Sequence, residues 1–218
     1  LEHGDNILAL LRGSHVNHDG RSSGLTTPNG RSQQQVMRRA FDHLDIEPRD
    51  VGYIEAHGTG TVLGDPVEAQ SISRVFENGR SIEDPLRVGS VKTNLGHLEA
   101  AAGIASIIKV VLCLKNEIIP PHLHFNKINP HIAEGDAKFE IPTEAIRWPA
   151  GNSKRIAGVN SFGISGTNAH ILIEEAPREK KPIDGQGRHI LTLRAKDKVD
   201  LASLAQRFQK HLSADQLP

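Results

Sequence analysis

The sequence predicts an α/β fold, a mixed sheet flanked by helices, on three observations. Strand, glycine-rich loop and helix follow one another twice, over 51–76 and again over 86–114. Two further strand-like runs come later, at 155–160 and 169–175. The 218 residues, 37% hydrophobic and 24% charged, supply enough apolar material for one substantial core.

Taken in order, residues 8–12 read as a short strand and 17–31 as a long polar loop marked by glycines, Pro28 and Asn29. Over 32–44 the apolar positions Val36, Ala40 and Leu44 recur every four residues, with Ser32 as N-cap, which predicts an amphipathic helix. A strand at 51–56 runs into His57-Gly58-Thr59-Gly60-Thr61. The helix over 66–76 is announced by Asp65 as cap, Pro66 at the first helical position and Glu68 completing a capping box. A strand at 86–91 delivers Lys92 and a turn ending at Gly96-His97, and residues 98–114 form a long apolar helix. Glu99, Ser106 and Lys109 within it argue for a buried helix rather than a membrane span. The irregular stretch from Pro120 to Ile132 leads to the strands 155–160 and 169–175, joined by Ser161-Phe162-Gly163-Ile164-Ser165-Gly166-Thr167-Asn168. Charged, Pro- and Gly-rich sequence over 177–187 marks a boundary, so the domains expected are 1–176 and 177–218. The second opens with a strand at 189–193 and a helix at 199–212, the start of a small α+β unit.

Charge narrows the partners. The 26 basic residues balance the 26 acidic ones, which excludes a strong field for nucleic acid or an acidic membrane. A single cysteine, Cys113, excludes an intrachain disulfide, and no charged-then-apolar leader opens the sequence. A reducing, cytoplasmic compartment is expected.

Three loops rich in His, Lys, Thr and Asn lie at strand ends, where open α/β sheets place their ligand sites. A single site is the expectation. Thr59 and Thr61 offer hydroxyls suited to neutral amides. Three segments then carry a specific likeness: His57-Gly58-Thr59-Gly60-Thr61 with Gly64-Asp65-Pro66, Gly89-Ser90-Val91-Lys92-Thr93-Asn94-Leu95-Gly96-His97, and the run from Asn160 to His170. Together they resemble the ketosynthase domains of type I modular polyketide synthases, over residues 8–177. The remainder resembles the start of the linker between a ketosynthase and an acyltransferase.

The resemblance implies a thiolase-like fold of two α/β halves, the first supplying a cysteine nucleophile and the second two histidines and a lysine. This chain matches the second half. It implies that His57 and His97 hold the thioester oxygen of a malonyl-type extender as it loses carbon dioxide, with Lys92 as a fixed charge beside them. Glu99, two residues past His97, is a candidate partner for Lys92. It further implies an oxyanion hole from the backbone N–H of Ile164 and that of the cysteine, Phe162 and Ile164 lining an acyl pocket, and Thr59 and Thr61 binding the phosphopantetheine arm of an acyl carrier protein. Ile164 stands where related fatty-acid synthases carry a gating phenylalanine. A place just before a helix N-terminus favours a neutral His97. The partners implied are the N-terminal half, the carrier protein, the adjacent acyltransferase and a second copy of the whole domain, with no directly bound cofactor. The function implied is a decarboxylative Claisen condensation, inactive in this chain by itself. The alternative is a non-catalytic or decarboxylation-only scaffold for dimerisation and carrier docking.

Other features read as structure. Cys113 lies inside the apolar helix without a small, polar context, so it is core packing. His15 with His18, and His122 with His124, lack the cysteines or carboxylates that complete a metal site, and no metal is expected. His170 reads as a surface or satisfied-core histidine rather than a site residue. Gly58-Thr59-Gly60 has its third glycine at Gly64, one place late for a dinucleotide loop, and no Gly-Lys-Ser/Thr follows.

Overall fold

The computed structural model describes residues 5–20, 24, 27–80, 84–132, 139–177 and 191–212. The chain divides into two compact units, Leu1–Pro177 and Arg178–Pro218.

In the first unit, β1 (Ala9–His18) is followed by α1 (Gly30–Arg39), β2 (Val51–Glu55), α2 (Gly64–Phe76), β3 (Arg87–Gly89), the single turn α3 (Lys92–Leu95) and α4 (Ala102–Asn116). The short β4 (Ile118–Ile119) and β5 (Ile146–Arg147) precede β6 (Ile156–Phe162) and β7 (Thr167–Glu175). Five strands form a mixed sheet in the order β1-β7-β6-β2-β3, and β4 pairs with β5. β2 runs parallel to both β3 and β6, whereas β7 is antiparallel to β6 and to β1. The alternation of side chains along a strand sends Ile54, Ile156 and Leu172 to one face, under Val36, Met37, Ile72 and Phe76 of α1 and α2. Tyr53, Ala157, Val159 and Ile173 face the other way, against Val110 and Leu114 of α4. The predicted α/β class is therefore a sheet between two helical layers.

Several boundaries differ from the expectation. β1 extends to His18 because its residues pair with β7 from Ala9↔Glu175 to His18↔Thr167. Its Leu11 and Val16 lie exposed, which hides the strand in a polar stretch. α1 begins at Gly30, not Ser32, since the side chain of Asn29 accepts the N–H groups of Arg31 and Ser32. It ends at Arg39, short of Leu44. α2 begins at Gly64 with no side-chain cap. Asp65 accepts instead from the N–H of Gly60 at 3.0 Å, and Glu68 turns inward, so no capping box forms.

α4 begins at Ala102, with a 3-10 turn over Glu99–Ala101 before it. It is buried on one face only. Ile104, Ile108 and Leu112 form a stripe with 54%, 53% and 51% of their surface exposed. No described helix is long and apolar enough to cross a membrane.

In the second unit α5 spans Lys198–Leu212, started by the Asp197 carboxylate, which accepts the N–H groups of Val199 and Asp200 at 2.9 Å. The strand expected at 189–193 lies partly outside the described residues, and 191–193 carry no strand.

Candidate active site

β2, β3 and β6 are parallel, so their carboxyl ends open on the same edge of the sheet. The loops bearing His57, Lys92 and Ile164 leave from that edge. The first two are held in close contact: the Ala56 N–H donates to the Gly89 carbonyl at 2.8 Å. Gly58 has φ +51° and backs onto Ser90, whose Cβ would lie 2.8 Å from a Cβ at Gly58. Only glycine fits that approach in that conformation.

Glu68 fixes the same loop from beneath. Its buried carboxylate accepts the N–H groups of His57 at 2.8 Å and Gly58 at 2.9 Å, and the Asn160 amide at 3.0 Å. Burial raises its pKa against the effect of these donors. His170 continues the chain, with Nδ1 at 2.7 Å from Asn160 Oδ1. Burial pushes its pKa down to about 3, so Nδ1–H donates from a neutral ring. His170 is fully buried in the core with only Nδ1 bonded, and the ring braces the site at one remove.

The rings of His57 and His97 stand edge to face, centroids 5.5 Å apart and planes at 85°. Phe162 packs on the other side of His57 at 5.8 Å. Burial, the Lys92 charge and His97 lower the pKa of His57 to about 4. His97 Nδ1 accepts the Glu99 N–H at 3.0 Å. With that lone pair engaged, the ring proton sits on Nε2. The device that sets this ring is therefore a backbone bond from Glu99 rather than the N-terminus of α4, which lies beyond the 3-10 turn.

Lys92 is half-buried, and burial lowers its pKa while the charges of Glu68 and Glu55 raise it. These two carboxylates, not Glu99, act on it. Glu55 is fully buried and accepts from Tyr53 at 2.6 Å and Lys109 at 2.8 Å. Sequence reasoning does not single out Glu68 and Glu55 as site residues; the one signal is an acidic side chain next to a run of glycine-rich loop.

The expected residues border two adjoining cavities rather than one. A cavity of about 380 Å³ takes in Lys92, His97, Thr59 and the apolar Ile72, Val88 and Ile141. The other, about 490 Å³, takes in His57, His97, Thr59, Thr61, Phe162 and Ile164. His97, Thr59 and Glu68 line both, with Lys92 on the wall of the first and Ile164 on the wall of the second. Ile164 is 80% exposed at the tip of the β6–β7 turn, where the Gly163 N–H donates to the Thr167 carbonyl at 2.7 Å. Thr59 and Thr61 hydroxyls lie 3.4 Å apart, and Thr61 also accepts the Gly64 N–H at 3.1 Å. Among the described residues no group of His, Cys, Asp or Glu is placed to hold a metal ion. Two imidazole rings, that of His57 held neutral by burial, beside Lys92 suit the binding of an oxygen that gains negative charge.

Residues 8–126 match the family model for the beta-ketoacyl synthase C-terminal domain, and residues 129–217 match that for the ketoacyl-synthetase C-terminal extension. Over 184 residues, 84% of the chain, it is 50% identical to a phenolphthiocerol/phthiocerol polyketide synthase chain of Mycobacterium tuberculosis, of which it covers 10%. Over 211 residues, 96% of the chain, it is 45% identical to an erythronolide synthase of Saccharopolyspora erythraea, of which it covers 7%. The chain thus spans a tenth or less of these relatives. Among solved structures, the ketosynthase from module 6 of the bacillaene synthase of Bacillus subtilis 168 superimposes with a TM-score of 0.77 at 34% identity, covering 100% of this chain and 38% of that one.

Proposed function

The chain belongs to the beta-ketoacyl synthase family through its C-terminal domain, and from that membership we propose that it is the enolate-holding half of a ketosynthase in a modular polyketide synthase. The observation that carries this is the edge-to-face pair of His57 and His97, 5.5 Å apart, with His57 unprotonated above about pH 4. In the proposed reaction the bond between the malonyl α-carbon and its carboxylate breaks and carbon dioxide leaves. Its electron pair forms an enolate, whose oxygen takes hydrogen bonds from His57 and from Nε2–H of His97. The enolate carbon then attacks an acyl thioester on a cysteine of the N-terminal half. A carbon–carbon bond forms, the carbon–sulfur bond breaks, and the cysteine thiolate is released.

Neutral donors suit this step because an imidazolium would protonate the enolate and waste it. Lys92, on the wall of the cavity it shares with His97, adds a fixed positive charge. The backbone N–H of Ile164, paired with that of the partner cysteine, serves the acyl carbonyl; Phe162 and Ile164 border the acyl chain. Thr59 and Thr61, at the wall of the cavity that holds His57, bond the amides of a phosphopantetheine arm presented by an acyl carrier protein. Cys113 is no substitute nucleophile: it is buried, with burial pushing its thiol up to about 11. Catalysis therefore needs the N-terminal half, and the chain by itself is inactive. Residues 1–176 belong to the ketosynthase and 177–218 begin the linker toward an acyltransferase. The working domain is a cytoplasmic homodimer.

Supplying the complete ketosynthase with an acyl thioester and malonyl carrier protein tests this. The expected product, read by mass spectrometry, is a β-ketoacyl carrier longer by two backbone carbons. Carbon dioxide without that product identifies a decarboxylation-only protein, and neither one identifies a scaffold.

A further inference from the structure

Glu55 is the last residue of β2 and has none of its surface exposed. One carboxylate oxygen receives the Tyr53 hydroxyl at 2.6 Å and the Lys109 ammonium at 2.8 Å, and Lys109 also donates to the Tyr53 oxygen at 2.8 Å. The other oxygen accepts the backbone N–H of Val91. A buried ion pair is a poor source of stability, since desolvation offsets its attraction and apolar residues of similar volume do as well or better. Its neighbours on the strand, Val51, Tyr53 and Ile54, are fully buried members of the core. A carboxylate here is explained by what it holds.

Val91 is the residue from which the Lys92 turn springs: its carbonyl accepts the N–H groups of Asn94 at 2.9 Å and Leu95 at 3.1 Å. The preceding N–H, of Ser90, is accepted by His122 Nδ1 at 3.2 Å. The point where β3 gives way to α3 is thus pinned by side chains from β2 and from the segment after β4. Tyr53 closes the same corner, because a Cβ at Gly89 would lie 2.7 Å from its hydroxyl. Lys92 follows at once, and His97 stands just past the end of that turn.

We propose that Glu55 is a positioning residue for condensation: held by Tyr53 and Lys109, it fixes the Val91 N–H and thereby the placement of Lys92 and His97 against the extender. This rests on the ketosynthase reading above. Displacing a catalytic group by about 1 Å costs on the order of a hundredfold in rate, so the loss falls on turnover rather than on binding.

Two double variants of the complete ketosynthase separate the hydrogen bond from the ion pair. Glu55→Gln with Lys109→Met removes both charges and keeps an acceptor for Val91. Glu55→Leu with Lys109→Met removes the acceptor too. The Gln form is expected to release carbon dioxide from malonyl carrier protein with a kcat within about threefold of the unaltered protein, whereas the Leu form loses about tenfold or more. In the Leu form KM for malonyl carrier and acyl loading of the cysteine stay unchanged. Equal kcat in the two forms overturns the proposal, as does a Leu form that loses acyl loading in step with decarboxylation. If the Leu form does not fold, Val91→Pro removes the same bond from the donor side, at a φ of −63° that suits proline, and is judged by the same criteria. An unaltered protein that releases no carbon dioxide refutes the ketosynthase reading itself, a result distinct from any difference between variants.

Discussion

Burial, Lys92 and the neighbouring ring hold His57 unprotonated down to about pH 4, against about 6.5 for a free histidine. Under the proposed function, protonation below that value turns a neutral donor into an acid that quenches the enolate. In kcat/KM for carbon dioxide release, which reports the free enzyme, the acid limb belonging to His57 is expected near pH 4. A limb near 6.5 that disappears in His57→Ala would show that the ring is not shielded in this way. His57, Lys92 and His97 stand out in the sequence through the three segments that resemble ketosynthases, whereas polar residues at strand ends point only to a shared site. Glu68 is visible but misleading. Three residues after Asp65 it satisfies the capping-box pattern, and nothing in the sequence shows that the N–H groups of His57 and Gly58 claim its carboxylate first. Glu55 carries less signal still, since a single acidic residue in a strand reads as an outward-facing position.

Among the elements, the decisive arrangement is the contact between the loops after β2 and β3. Replacing Gly58 by alanine forces a side chain into a left-handed conformation, φ +51°, with its Cβ 2.8 Å from that of Ser90. The left-handed backbone alone costs about 1–2 kcal/mol, and the clash drives apart the loops that bear His57 and Lys92. Gly58→Ala in the complete ketosynthase is expected to lower both the denaturation midpoint and the rate of carbon dioxide release; unchanged values of both would show the loops to be independent. The repeated strand–loop–helix pattern reveals β2, β3 and α2 because their periodicities differ sharply. The sequence pattern cuts β1 short, since His15, Asn17 and His18 on a half-exposed edge strand give no apolar alternation. It misplaces the start of α1 because Asn29 and Ser32 are equally good caps in sequence, and only the fold decides between them.

At the scale of the whole molecule, the stripe of Ile104, Ile108 and Leu112, each about half exposed, sets the limit of what a single chain satisfies. Its spacing of four residues puts all three on the face of α4 opposite Val110 and Leu114. From sequence, apolar residues occupy more than one face of this helix despite Ser106 and Lys109, and no pattern separates a core from an interface. Under the proposed function, this stripe and the exposed Ile164 on the cavity wall belong to the face that the N-terminal half covers. The proposed division of labour assigns the extender to His57 and His97 and the acyl chain to the N-terminal half. Measuring radiolabelled acyl transfer to the cysteine and carbon dioxide release separately, in His57→Ala and His97→Ala forms of the complete ketosynthase, tests that division most directly. Each variant is expected to load acyl groups normally and to lose about a hundred- to thousandfold in carbon dioxide release, the typical worth of one oxyanion donor. Undiminished carbon dioxide release, or an equal fall in both steps, would contradict it.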